Sequence, residues 1–147
     1  MYLDSCIIVK LLVAEPDSEF FMRSLEGRRL VTSELAQTEV FSALLARERA
    51  GKIDAADRRL AWKEFNARVA DGEIKFEPLN SIVLRKAIYC LEHCHPPVPL
   101  RTLDAIHLAT ADLSQDFPLV TTDGRLADAA RKMNIEVFPP AKNLTTD

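Results

Sequence analysis

Short apolar runs alternate with longer amphipathic ones along almost the whole chain. Met1–Leu3 is apolar and ends at Asp4. Ser5–Val13 reads as a helix closed by Pro16, and Asp17–Gly27 as a second, short one. Arg29–Thr32 is a strand, and Ser33 can accept from the first free N–H groups of a helix over Glu34–Ala50. Asp54–Asp71 is another long helix, stopped by Gly72. Ile74–Leu79 is a strand, Ser81–Cys94 a helix, and Pro96–Pro99 a break. Arg101–Leu113 is a helix, Pro118–Thr121 a strand, Arg125–Met133 a helix and Ile135–Phe138 a last strand. Short β-branched strands separated by helices predict an α/β fold on a central parallel sheet.

The length of 147 residues suits a single domain over 1–147 with a real core. No apolar run approaches the roughly 18 residues of a membrane span. The start, MYLDSCIIVKLLVAEPD, does not read as a signal peptide, because Asp4 and Lys10 interrupt it. Cys6, Cys90 and Cys94 form no framework spacing, which fits reduced thiols in a cytoplasm. The net charge of −3 argues against a general nucleic-acid binder unless basic groups are local.

Ligands of open α/β sheets sit beyond the carboxyl ends of the strands. Asp4 follows the first strand there, and Asp123 follows the strand PLVT in the turn TTDG. Glu39 lies at the edge of an apolar helix face made by Leu35, Ala36, Val40, Ala43, Leu44 and Ala46. Asp104 opens the helix RTLDAIHLATADL, whose Leu103, Ile106, Ala109 and Leu113 share a face. Each acid has an ordinary explanation by itself. Asp4 would cap a helix, and Asp123-Gly124 is a common turn pair. Glu39 would face solvent. Asp104 would favour the helix dipole behind a Thr102 cap. Together they describe convergent carboxylates, which repel unless a cation joins them. Carboxylate oxygens suit hard Mg²⁺ or Mn²⁺.

YLDSCIIVKLL, SELAQTEVFSALLA, LRTLDAIHLATA and LVTTDGRLADAA, in this order and spacing, resemble the PIN-domain nucleases, and within them the VapC-type toxins of toxin–antitoxin pairs. The resemblance implies a three-layer α/β/α sandwich around a mainly parallel sheet. It also implies an acidic pocket for Mg²⁺ or Mn²⁺, built from Asp4, Glu39, Asp104 and Asp123, with Ser5 and Thr121 in support. The implied activity is metal-assisted hydrolysis of RNA phosphodiesters. The implied partners are RNA, a cognate antitoxin protein and a second copy of the chain, with no membrane. Family members often carry an apolar or small residue where this chain has His107. Neutralising four acids would bring the charge of −3 to about +1, so phosphate contact is no longer opposed. Arg47, Arg49, Arg101 and Arg125 are candidates for that contact, and Arg101 and Arg125 lie nearest the acids in sequence.

Asp104 and His107, three apart on one helix, invite a shared metal. The other acids supply only oxygen, so His107 is read as packed beside the pocket with its ring hydrogen-bonded. The run CLEHCH (Cys90, His93, Cys94, His95) invites zinc. Its last three residues are consecutive and cannot all turn to one ion, so a helix end is the reading preferred. The helix of Leu60, Ala61, Phe65 and Val69 is a core stripe, with Trp62 off it; Trp62 and Phe20–Phe21 are candidates for a partner groove. A receiver-type phospho-acceptor domain is disfavoured, since Asp4 is followed by Ser5 and Cys6 and TTDG has no lysine. A non-catalytic PIN-like scaffold would be expected to lack one of the acids, and all four are present.

Overall fold

A computed structural model describes residues 1–140. The elements are β1 (Tyr2–Leu3), α1 (Ser5–Leu12), α2 (Ser18–Leu25), β2 (Leu30–Ser33), α3 (Leu35–Arg49) and α4 (Ala55–Ala70). They continue with β3 (Ile74–Glu77), α5 (Ser81–Cys94), α6 (Thr102–Ser114), β4 (Leu119–Val120), α7 (Gly124–Lys132) and β5 (Val137–Phe138). The strands form one sheet in the order β3-β2-β1-β4-β5, and every pairing is parallel.

Alternation along the strands divides the core in two. Tyr2, Val31 and Leu119 join the apolar cluster that includes residues of α5, α6 and α7. Their neighbours Leu3, Leu30 and Val120 join the cluster that includes residues of α1, α2, α3 and α4. Successive side chains of a strand point to opposite faces. Two helical layers on a central sheet follow from that alternation, and this is the predicted α/β/α sandwich.

The chain leaves β1 toward β2 and β3 on one side and returns to β4 and β5 on the other. The strand order therefore reverses between β1 and β4. That crevice is where ligands of open parallel sheets bind.

Two helices differ from the reading of their sequence. Leu103 and Leu113 do not belong to a buried stripe of α6; both are 46% exposed. Instead Ala105 to Ala111 are buried without interruption. Helix α6 packs on α5, on α7 and on β2 at once, so no single face defines its interior. In α4, Leu60 is 66% exposed, while Ala61 and Phe65 are buried. Trp62 packs against Phe41 and Phe65 and takes the place expected of Leu60. Phe21 is buried as well, and Phe20 stacks on Phe138. Among the described residues no helix is long and apolar enough to cross a membrane.

Candidate active site

Asp4 stands at the carboxyl end of β1, where its N–H makes a last sheet bond to Val120 O (3.0 Å). It occupies the N-cap position of α1 but makes no side-chain cap bond. Its Oδ2 instead accepts from Thr121 Oγ1 (2.7 Å) and from the Cys6 thiol (3.0 Å). A helix cap is therefore not what this carboxylate does. Burial, followed by the Asp4 charge, pushes the Cys6 thiol up to about 12, so it stays protonated and donates.

Asp123 does cap its helix. Its Oδ1 accepts from Arg125 N (2.8 Å) and Leu126 N (3.0 Å), and its own N–H donates to Thr121 Oγ1 (3.0 Å). The turn that fixes this acid also brings it beside Asp4 through the shared threonine. Ser33 accepts from Leu35 N (3.1 Å) and so starts α3, the helix that carries Glu39.

Glu39 is not a solvated surface glutamate. Its Oε1 accepts from Ser5 Oγ (2.8 Å) and lies 2.5 Å from His107 Nε2. His107 is 1% exposed, and its other nitrogen, Nδ1, lies 2.8 Å from Tyr2 Oη. The ring is hydrogen-bonded beside the pocket, as its sequence context suggests. That its partner is one of the four acids is not apparent from the sequence. The only signal there is the parity that turns Tyr2 toward the helix bearing His107.

Asp104 lies in the first turn of α6. Arg101 is the N-cap there and makes no side-chain cap bond, and Thr102 is already helical, so the expected threonine cap is absent. The Asp104 Oδ2 is buried and has no hydrogen-bond partner. Burial first, then the negative charges of Asp123 and Asp4, push this carboxyl above its usual range. A buried acceptor without a donor is costly and uncommon.

Asp4, Glu39, Asp104 and Asp123 line one cleft of about 260 Å³, together with Ser5, Cys6 and Arg47. A larger hollow of about 520 Å³ opens beside Leu30 at the start of β2. Its charges include the Arg68–Glu73 pair (3.2 Å), and it gathers no comparable set of acids. Among the described residues, no three His, Cys, Asp or Glu side chains are grouped closely enough to hold an ion as they stand. Asp4, Glu39 and Asp123 take donors the fold offers, and Asp104 Oδ2 takes none. The donor chemistry nonetheless fits a hard divalent cation, because the acids bring only oxygen and Asp104 Oδ2 has no other partner.

Of the candidate arginines, Arg47 reaches the cleft but is tied to Glu15, with Nε 3.0 Å from Oε1. Arg49 is exposed at the far end of α3. Arg101 and Arg125 make no ion pair among the described residues. Cys90 and Cys94 are fully buried in the core and His93 stacks on Tyr89, so the side chains of CLEHCH do not gather into a group of three possible ligands among the described residues.

Comparison with known proteins gives a consistent likeness. The PIN domain family model matches residues 1–132. The chain is 38% identical over 144 residues to Ribonuclease VapC46 of Mycobacterium tuberculosis (strain ATCC 25618 / H37Rv), covering 96% of this chain and 98% of that protein. It is 30% identical over 149 residues to Ribonuclease VapC35 of the same species (strain CDC 1551 / Oshkosh), covering 97% and 98%. Among solved structures, a chain of a toxin–antitoxin complex from Klebsiella pneumoniae matches with a TM-score of 0.55. That match is 16% identical, covers 83% of this chain and 85% of that one, and is a likeness of fold.

Proposed function

The chain belongs to the PIN-domain family, of the VapC type, and from that premise we propose that it is a metal-dependent endoribonuclease, the toxin of a toxin–antitoxin pair. The observation that carries this reading is the buried, unpartnered Asp104 Oδ2, whose carboxyl feels the charges of Asp4 and Asp123 in the same cleft.

Asp4, Glu39, Asp104 and Asp123 would hold Mg²⁺, with Mn²⁺ as the alternative. Such an ion supplies charge neutralisation at a phosphate and eases deprotonation of an attacking water. The chain's own residues supply the frame. Thr121 holds Asp4 with a 2.7 Å bond and accepts the Asp123 N–H, which ties the two strand-end acids together. Ser5 donates to Glu39 and keeps its carboxylate on the cleft wall. The protonated Cys6 thiol closes the outer flank of Asp4. Arg101 and Arg125, beside Asp104 and Asp123 in sequence, would meet the phosphates on either side of the scissile bond.

The partners proposed are RNA, a cognate antitoxin and a second copy of the chain. The antitoxin is supported by the VapC-type likeness and by the shared fold with a chain of the Klebsiella toxin–antitoxin complex. A homodimer is supported by α5, where Ile82, Ile88 and Tyr89 are each at least half exposed. A cytoplasmic site of action follows from an RNA substrate.

The test is cleavage of cellular RNA with Mg²⁺ or Mn²⁺ and with EDTA, with product ends mapped. The wild type is expected to cut only with metal, and Asp4→Asn to be inert. Intact RNA under all conditions would favour the non-catalytic scaffold.

A further inference from the structure

Glu39 projects from the second turn of α3, a helix edge where a glutamate would ordinarily wave in solvent. Two donors converge on its Oε1: Ser5 Oγ at 2.8 Å and His107 Nε2 at 2.5 Å. No hydrogen bond reaches Oε2 among the described residues, so that oxygen is left for whatever enters the cleft. The imidazole is held from behind as well. Tyr2 is fully buried in the central strand, and its hydroxyl lies 2.8 Å from His107 Nδ1. The two rings meet edge to face, with centroids 5.9 Å apart. A tyrosine that donates to Nδ1 leaves the ring proton on Nε2, the nitrogen that faces the carboxylate.

We propose that His107 is a positioning residue: backed by Tyr2 in the sheet, it locks the Glu39 carboxylate on the cleft wall with one oxygen turned free. This inference rests on the ribonuclease reading of the cleft and adds a component to it. The relay Tyr2–His107–Glu39 runs from β1 through α6 to α3, so three elements fix one oxygen atom. Groups that orient a ligating or reacting side chain in this way typically contribute about 10–100-fold in metal affinity or activity.

The test compares two amide substitutions in the full chain. His107→Gln keeps an N–H near the position of Nε2 and can still reach Glu39. His107→Asn keeps a polar group near Tyr2 but is too short for Glu39. Single-turnover and steady-state RNA cleavage, and calorimetric titration with Mn²⁺ alone, are measured well below each variant's unfolding midpoint. His107→Asn is expected to lose about 30-fold or more in kcat with KM within about 3-fold, and to bind Mn²⁺ about 10-fold more weakly; His107→Gln is expected to stay within about 5-fold of wild type in both. A merely structural histidine would make both variants fall in proportion to their lost stability. Equal kcat and equal Mn²⁺ affinity for the two variants would overturn the proposal while the ribonuclease reading stands. A wild type that binds Mn²⁺ but cuts no RNA would sink the ribonuclease reading alone, and the Mn²⁺ affinities would still decide for or against His107. A wild type that neither binds Mn²⁺ nor cuts RNA overturns both.

Discussion

The hydroxyl of Thr121 donates to Asp4 Oδ2 over 2.7 Å while accepting the N–H of Asp123 over 3.0 Å. One buried oxygen thus sets the spacing of two acids that are far apart in sequence. Thr121→Val is expected to lower stability by about 1–3 kcal/mol, the usual cost of leaving a buried polar group without its partner. Thr121→Ser should recover most of the loss. Urea unfolding of both variants, read by circular dichroism, measures this.

Asp104 gives a pH-dependent signature. Its carboxyl is raised by burial and by Asp123 and Asp4, so the folded state holds that proton more tightly than the unfolded chain does. Its contribution to stability is therefore fully present below the ordinary aspartate range and is lost as pH rises through the raised folded value. Asp104→Asn should melt at a higher temperature than wild type at pH 7 to 8, and the gap should close in acid. Scanning calorimetry across that range checks the sign. A gap that widened in acid would contradict the account.

Mn²⁺ and Mg²⁺ should reverse that order. A ligand that binds only the folded state raises its stability by mass action. Millimolar Mn²⁺ is expected to raise the melting temperature of wild type clearly, and that of Asp4→Asn or Asp104→Asn much less. Equal shifts in all three would deny a shared site.

On α5, Ile88 is 65% exposed and Tyr89 50%. If this face joins two copies, Ile88→Asp should leave a monomer in sedimentation velocity while the melting temperature of the isolated chain barely moves. The side chain makes little contact within its own fold, and burying one such residue in an interface is worth about 1.5–3 kcal/mol.

Much of the fold is legible because the elements announce themselves. Helix α5 begins and ends at the residues expected, since Asn80 caps it through Ile82 and Val83 and Pro96 stops it. Asp4 is legible from its place after an apolar triplet. The expected boundaries of β4 and β5 run a residue or two beyond the observed strands, because pairing with the neighbouring strand, not composition, decides where a ladder ends. The face of α6 is illegible because periodicity assumes one interior side, and this helix has several. Arg47 reads as a phosphate contact, yet Glu15, in the connection between α1 and α2, holds it. Such pairings depend on how distant segments pack, and no local pattern encodes them. The tie between His107 and Glu39 is hidden for the same reason, being 68 residues long in sequence.

From Ala105 to Ala111 seven consecutive residues of α6 are buried, and the same helix carries Asp104 and His107. Chemistry and folding are therefore written into one segment and drift together. Mutations in α6 that silence activity will also be counted as lost soluble protein. Around Glu39 on half-exposed α3, a lineage can lose its catalysis and keep its shape. A silent descendant of this chain, retained as a binding protein, would be expected to have changed Glu39 first and to have left the interior of α6 as it is.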